Sequence, residues 1–178
     1  MPGSIRENDQ FVREFVFNNH VNTALDVGAG QGTYFDLLHD LVPGGLDGIE
    51  VWQPYIEQYD LRNKYVWLYE GDARTEIDLV IERYATLPKK FYDLVIFGDV
   101  LEHMTEAESL ELWKKASQIA RYGLISVPIV HYPQDAVGGN PYEVHVQEHL
   151  TPEHIRATFG PFDHEALYPW TGTFIKRF

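Results

Sequence analysis

Two stretches of the sequence carry residue types suited to chemistry. The first is Asp99-Val100-Leu101-Glu102-His103, two carboxylates and an imidazole within five residues. Such a set can accept and return a proton near neutral pH, because an unperturbed imidazole titrates at about 6.5. The same residues also suit a plainer task, capping and bonding locally around the helix that follows. The second stretch is Ala24-Leu25-Asp26-Val27-Gly28-Ala29-Gly30-Gln31-Gly32-Thr33, a short apolar run that leads into three glycines. Glycine has no Cβ, so this turn can bend tightly and let a ligand lie against bare peptide groups. An ordinary strand-to-helix turn would look the same. A dinucleotide fingerprint places its third glycine three residues after the second, but that position is Thr33 and the glycine falls at 32. The pattern is G-x-G-x-G, preceded by the acidic Asp26.

A site of this kind needs a frame that gathers strand ends, and the hydrophobic periodicity predicts one. Ile5, Val12, Phe15 and Val16 recur at helical spacing from Ser4, a suitable N-cap, to about Asn19. Thr23 to Val27 reads as the first strand, and Tyr34, Leu37, Leu38 and Leu41 form the core stripe of the next helix. Leu46 to Glu50 is a second strand, followed by a helix marked by Tyr55, Ile56 and Tyr59. Val66 to Tyr69 is a third, with Ile77, Val80, Ile81 and Tyr84 as the helical stripe after it. Phe91 to Phe97 is a nearly continuous run of β-formers, as suits a strand buried on both faces of a parallel sheet. Glu106 to Ile119 is a helix and Tyr122 to Val127 a fifth strand closed by Pro128. Residues 129–150 have no period, a length that points to function. Thr151-Pro152-Glu153 opens the last helix, and Phe162 to Tyr168 with Gly172 to Phe178 predict a closing hairpin.

The 178 residues, 44% of them hydrophobic, are enough for one good core and predict a single domain over 1–178. No apolar run suits a membrane span, and the charged start at Arg6, Glu7, Asp9 and Arg13 lacks a signal-peptide core. With no cysteine, thiolate metal sites and cysteine nucleophiles are excluded. A formal net charge of −13 opposes polyanions, and Lys114-Lys115 is too small a patch to attract nucleic acid. No feature of the sequence sets the oligomeric state.

The glycine turn, in order with the acids that follow it, resembles the class I S-adenosylmethionine-dependent methyltransferases. That resemblance covers essentially the whole chain. It implies an α/β fold: a doubly wound, mostly parallel seven-stranded sheet, Rossmann-like, with a C-terminal antiparallel hairpin. It also implies a set of cofactor-binding residues. Asp26 would orient the turn Gly28, Gly30 and Gly32 and the methionine ammonium, with the Gly28 and Gly98 backbones at the amino-acid end. Glu50, ending the second strand, would accept from both ribose hydroxyls, while Trp52 fits either against the adenine or in the core. Asp72 and the N–H of Ala73 would bind the adenine. Asp99, Glu102 and His103 would sit beside the transferring methyl group, with Glu102 and His103 catalytic and His103 the base for an acceptor hydroxyl.

The cluster also resembles the acid-x-x-Glu-His arrangement that holds a divalent metal in ubiquinone-pathway and small-RNA O-methyltransferases. On that likeness Asp99, Glu102 and His103, joined by His145 or His149, would bind magnesium, manganese or zinc. Asp99 stands where those enzymes have Glu, which shortens its reach. The segment from Gly138 to Thr151 resembles a loop that crosses the acceptor pocket of small-molecule methyltransferases, so His131, Tyr132 and Tyr142 would line it or only pack it down. The resemblance therefore implies a cytoplasmic S-adenosylmethionine-dependent enzyme acting, at oxygen rather than nitrogen or carbon, on a small-molecule or glycan-type acceptor. Nucleic acid and membrane insertion are not expected. Two other readings remain at this stage: a non-catalytic cofactor-binding regulatory module, and a nicotinamide-dependent Rossmann enzyme, against which Thr33 speaks.

Overall fold

In the computed structural model, which describes residues 6–86 and 90–178, the β-forming runs become seven strands. These are β1 (Ala24–Val27), β2 (Leu46–Glu50), β3 (Leu68–Glu70), β4 (Tyr92–Gly98), β5 (Ala120–Pro128), β6 (His164–Leu167) and β7 (Thr171–Arg177). They form one sheet in the order β3-β2-β1-β4-β5-β7-β6. The first five are parallel, with Ala24 of β1 registered between Leu46 and Leu94. The hairpin β6-β7 adds antiparallel to β5. The sheet is therefore the mixed, mostly parallel one that the sequence predicts.

Helices α1 (Asp9–Asn18), α2 (Thr33–Leu38), α3 (Gln53–Gln58), α4 (Leu61–Lys64), α5 (Ala73–Tyr84), α6 (Glu106–Ile119) and α7 (Pro152–Phe159) cover both faces. Leu25, Val27, Val95 and Phe97 pack with α5, α6 and α7 on one side. Ala24, Leu94 and Ile96 pack with α1, α2 and α4 on the other. Double coverage is why β1 and β4 read as apolar runs rather than alternating ones. Among the described residues no helix is long and apolar enough to cross a membrane.

The helix boundaries follow their caps. Thr105 and Glu108 form a reciprocal capping box that starts α6, and the Thr151 hydroxyl accepts the His154 N–H to start α7, with Pro152 in its first turn. Three elements differ from the sequence reading. The N-terminal helix begins at Asp9 after a 3-10 turn over Arg6–Asn8, while Ser4 and Ile5 lie outside the described residues. The helix after β2 is divided into α3 and α4 because Asp60 takes a left-handed conformation, φ +54°. The third strand starts at Leu68 rather than Val66 because the chain bends at 65–67, where Tyr65 turns into the core.

Tyr65 turns inward to meet Asp26, which is 2% exposed in the middle of the sheet. Its hydroxyl donates to the Asp26 carboxylate, yet burial outweighs that bond and pushes Asp26 up to about 7. The folded chain thus holds a proton at Asp26 more tightly than the unfolded chain, where an aspartate titrates at about 3.9. Its contribution is complete below that value and is lost as the pH rises toward about 7. Asp26→Asn keeps an acceptor for Tyr65 and removes the ionisation. Urea unfolding at about pH 4 and about pH 7.5 should show a flatter fall of stability in the variant than in the wild type; equal slopes would contradict the buried-proton account.

Candidate active site

The carboxyl ends of the parallel strands share one edge, and a cavity opens there. Its first wall is the turn after β1. Gly28, Gly30 and Gly32 all take left-handed backbone, φ +69°, +56° and +83°. At Gly28 the need is doubled, since a Cβ would fall 2.5 Å from a methyl of Val100. The N–H groups of Gly28 and Ala29 donate to the Ile49 carbonyl at 2.9 and 3.0 Å. The next donor, Gly30 N–H, reaches the Glu50 carboxylate at 2.7 Å.

Glu50 is thereby the hinge pin between the first two strands. Its second oxygen accepts the Trp52 N–H at 2.7 Å. Burial raises its pKa, and these backbone donors oppose the rise. A carboxylate oxygen has two lone pairs, so each can still accept from a ligand hydroxyl. After β3, Asp72 caps α5 by accepting the Arg74 N–H at 2.9 Å. The Arg74 guanidinium pairs with it and also reaches Glu108 at 2.6 Å. That pairing holds the Asp72 carboxyl below its usual range.

The segment after β4 closes the other side. Gly98 must be glycine, because a Cβ there would run into the Tyr34 ring. Asp99 follows with φ +53°, and its N–H donates to the Ser126 carbonyl at 2.8 Å. Glu102 is 1% exposed, and neither of its oxygens has a hydrogen-bond partner among the described residues. Burial, with the Asp99 charge adding to it, raises its pKa well above the carboxylic range. Leaving such a group unsatisfied costs about 1–3 kcal/mol, so it is either protonated or completed by what the cavity holds. Beside it, His103 Nδ1 is 3.2 Å from the Val144 carbonyl, and His145 Nδ1 is 2.6 Å from the Tyr132 carbonyl. The two rings are 4.8 Å apart, edge to face. Burial lowers both histidines. One ligand atom from each of Glu102, His103 and His145 falls within 4.8 Å of the others.

Of the residues singled out in the sequence, Gly28, Gly30, Glu50, Asp72, Ala73, Gly98, Asp99, Glu102, His103 and His145 line this one cavity, as do Tyr132 and Tyr142. Five others, His131 among them, stand apart from its lining. Asp26 lies beneath, bonded to Tyr65; Gly32 caps α2; Trp52 packs on Tyr142, ring centroids 6.4 Å apart; and His149 faces His131 at 6.0 Å. Tyr34, Tyr55, Arg74 and Gln134 also line the cavity, and the sequence does not mark them as site residues. Tyr34 and Tyr55 read as parts of regular helix stripes. No motif distinguishes Arg74 and Gln134.

Solved structures resembling this fold share little of its sequence. The N-terminal domain of EvdMO1 with S-adenosylhomocysteine bound superposes with a TM-score of 0.65 at 14% identity, covering 98% of this chain and 82% of that one. A SAM-dependent methyltransferase from Archaeoglobus fulgidus gives 0.64 at 16% identity, with 95% and 92% covered. Magnesium protoporphyrin IX methyltransferase from Synechocystis PCC 6803 with bound SAM gives 0.63 at 13%, with 96% and 77% covered. No family model matches the sequence, and no curated protein matches it either. The fold of this chain is that of the class I S-adenosylmethionine-dependent methyltransferases.

Proposed function

We propose that the chain is an S-adenosylmethionine-dependent methyltransferase that methylates a hydroxyl of a small-molecule or glycan-type acceptor in the cytoplasm. The observation that carries this reading is the joint lining of one cavity by the Gly28–Gly30 turn, Glu50 and the Glu102–His103 pair. The residues fit the cofactor. Glu50 is buried with lone pairs left for a ribose diol, and Gly30 faces the cavity with no side chain packed where its Cβ would be. The Glu102 and Asp99 carboxyls supply acceptors for the amino-acid end. When bound, the cofactor supplies an electrophilic methyl group on a sulfonium.

What remains for the chain is to orient the acceptor, exclude water and take one proton. With the bound cofactor supplying the methyl group, His103 would take the proton that the acceptor hydroxyl loses. Its Nδ1 donates to the Val144 carbonyl, which leaves Nε2 as the accepting nitrogen. Burial, which lowers His103, keeps the ring neutral and ready as a base. Tyr132 and Gln134 supply the acceptor wall. The overall charge of −13 and the cavity's carboxylates oppose a nucleic-acid acceptor.

A second reading of the same cluster has its own support. Glu102 lacks an internal partner, and both neighbouring histidines give Nδ1 to a backbone carbonyl, the arrangement that aims Nε2 at a metal. Two imidazoles and a carboxylate suit zinc or manganese more than magnesium. A bound ion would lower the acceptor hydroxyl's pKa. Titrating metal-free protein with each ion in the presence of S-adenosylhomocysteine should give stoichiometric heat for at least one; silence for all three would leave only the proton-transfer reading.

Calorimetric titration with S-adenosylhomocysteine and with NAD tests the cofactor assignment. Binding of the first and not the second is expected, with Glu50→Gln weakening it by about 1–3 kcal/mol. Binding of NAD alone would favour a nicotinamide enzyme. His103→Ala should retain cofactor affinity while lowering single-turnover methyl transfer by roughly 10²–10⁴-fold. Transfer at the wild-type rate would remove His103 as the base, and no transfer by the wild type to any hydroxylated acceptor would favour a regulatory module.

A further inference from the structure

The segment from Gly138 to Thr151 resembles an acceptor loop in sequence, but in the structure it runs from the fourth-strand cluster to the end of β2. Tyr142 packs its ring against Trp52, two residues beyond Glu50, with the planes at 58°. Asn140, Tyr142 and Glu143 line the same cavity as Gly30, Glu50 and Asp72. Burial is what chiefly raises Glu50 and Glu102, and the Glu143 charge adds a little to each, from either end of that cavity. Beneath it the Tyr55 hydroxyl is pushed up to about 12, chiefly by burial and then by Glu143.

This strap is braced rather than loosely laid. The Val146 and Gln147 N–H groups donate to the Glu102 carbonyl at 2.8 and 2.9 Å. Gln147 Nε2 donates to the carbonyls of Leu101 and Met104, both at 2.9 Å. Gln134 Nε2 holds the Glu143 carbonyl at 2.8 Å, and the buried Asn140 side chain accepts the Tyr142 N–H at 3.0 Å. The turn at 140–143 therefore projects from a rigid base. Its Tyr142 ring, 44% exposed, lines the cavity with the glycine turn and packs on Trp52.

We propose that Tyr142 and Glu143 are cofactor-binding residues, the strap roofing the nucleoside half of the site with Tyr142 as its aromatic cover and Glu143 as an acceptor facing Glu50. The proposal rests on the methyltransferase reading and extends it, since it gives the strap a cofactor role beside any acceptor role. The bonds from Val146 and Gln147 to the backbone of Leu101–Met104 hold His145 against Glu102 and His103. The same strap therefore borders both the cofactor side and the acceptor side.

Calorimetric titration of the full chain with S-adenosylhomocysteine and with adenosine tests this directly. Tyr142→Ala should weaken both ligands by about tenfold, the scale of losing one aromatic contact to a base, while Tyr142→Phe stays within about threefold because the ring and not the hydroxyl is used. The exposed strap variant Val146→Ala should bind as the wild type does. Amide exchange over residues 137–147 should slow when S-adenosylhomocysteine is added. A Tyr142→Ala protein that binds both ligands as tightly as the wild type, with exchange in the strap unchanged, would overturn the proposal and leave the methyltransferase reading standing. Wild-type protein that binds neither ligand would overturn both.

Discussion

Three successive N–H groups of the turn after β1 are spent on the end of β2: Gly28 and Ala29 on the Ile49 carbonyl, Gly30 on the Glu50 carboxylate. These bonds require left-handed backbone at Gly28 and Gly30, and they lock the ends of two adjacent parallel strands together. The crevice depends on that lock. It fixes the Glu50 carboxylate at the cavity wall, and it holds the turn close enough to Val100 that the segment after β4 can approach. Without glycine at 28 the two sides of the cavity would be pushed apart by the width of a methyl group.

The opposite wall is governed by an electrostatic imbalance rather than by backbone bonds. Glu102 is sealed from water with neither oxygen satisfied, an arrangement that costs stability unless a proton or a ligand completes it. Its neighbours are two histidines that burial keeps neutral. The cluster is thus ready to receive positive charge, as a transferred proton or as an ion. On the proposed function, either occupant would place that charge beside the acceptor hydroxyl that loses its proton.

Much of this was legible in the sequence because the determinants are local. The glycines announce a turn that no side chain tolerates, and Thr151-Pro152-Glu153 announces the start of α7 within three residues. Glu50 is recognisable because it terminates an apolar strand. What could not be read depends on approach between distant segments. Asp26 meets Tyr65 across 39 positions, and that contact also explains why the third strand begins late. Tyr142 meets Trp52 only because the strap crosses the whole edge of the sheet, which no periodicity in residues 129–150 encodes. His145 and His149 are equivalent in sequence, and only the fold brings the first beside Glu102 and the second beside His131.

The central claim is that this crevice holds the cofactor with its nucleoside at Glu50 and its sulfur between the glycine turn and the Glu102–His103 pair. A crystal structure of the protein grown with S-adenosylhomocysteine measures that placement most directly. The account predicts ribose hydroxyls on the Glu50 carboxylate, the amino-acid end against the Gly28–Gly30 turn, and the sulfur facing His103 across the cavity. A ligand bound elsewhere, or bound with its ribose away from Glu50 and its sulfur turned from His103, would contradict it.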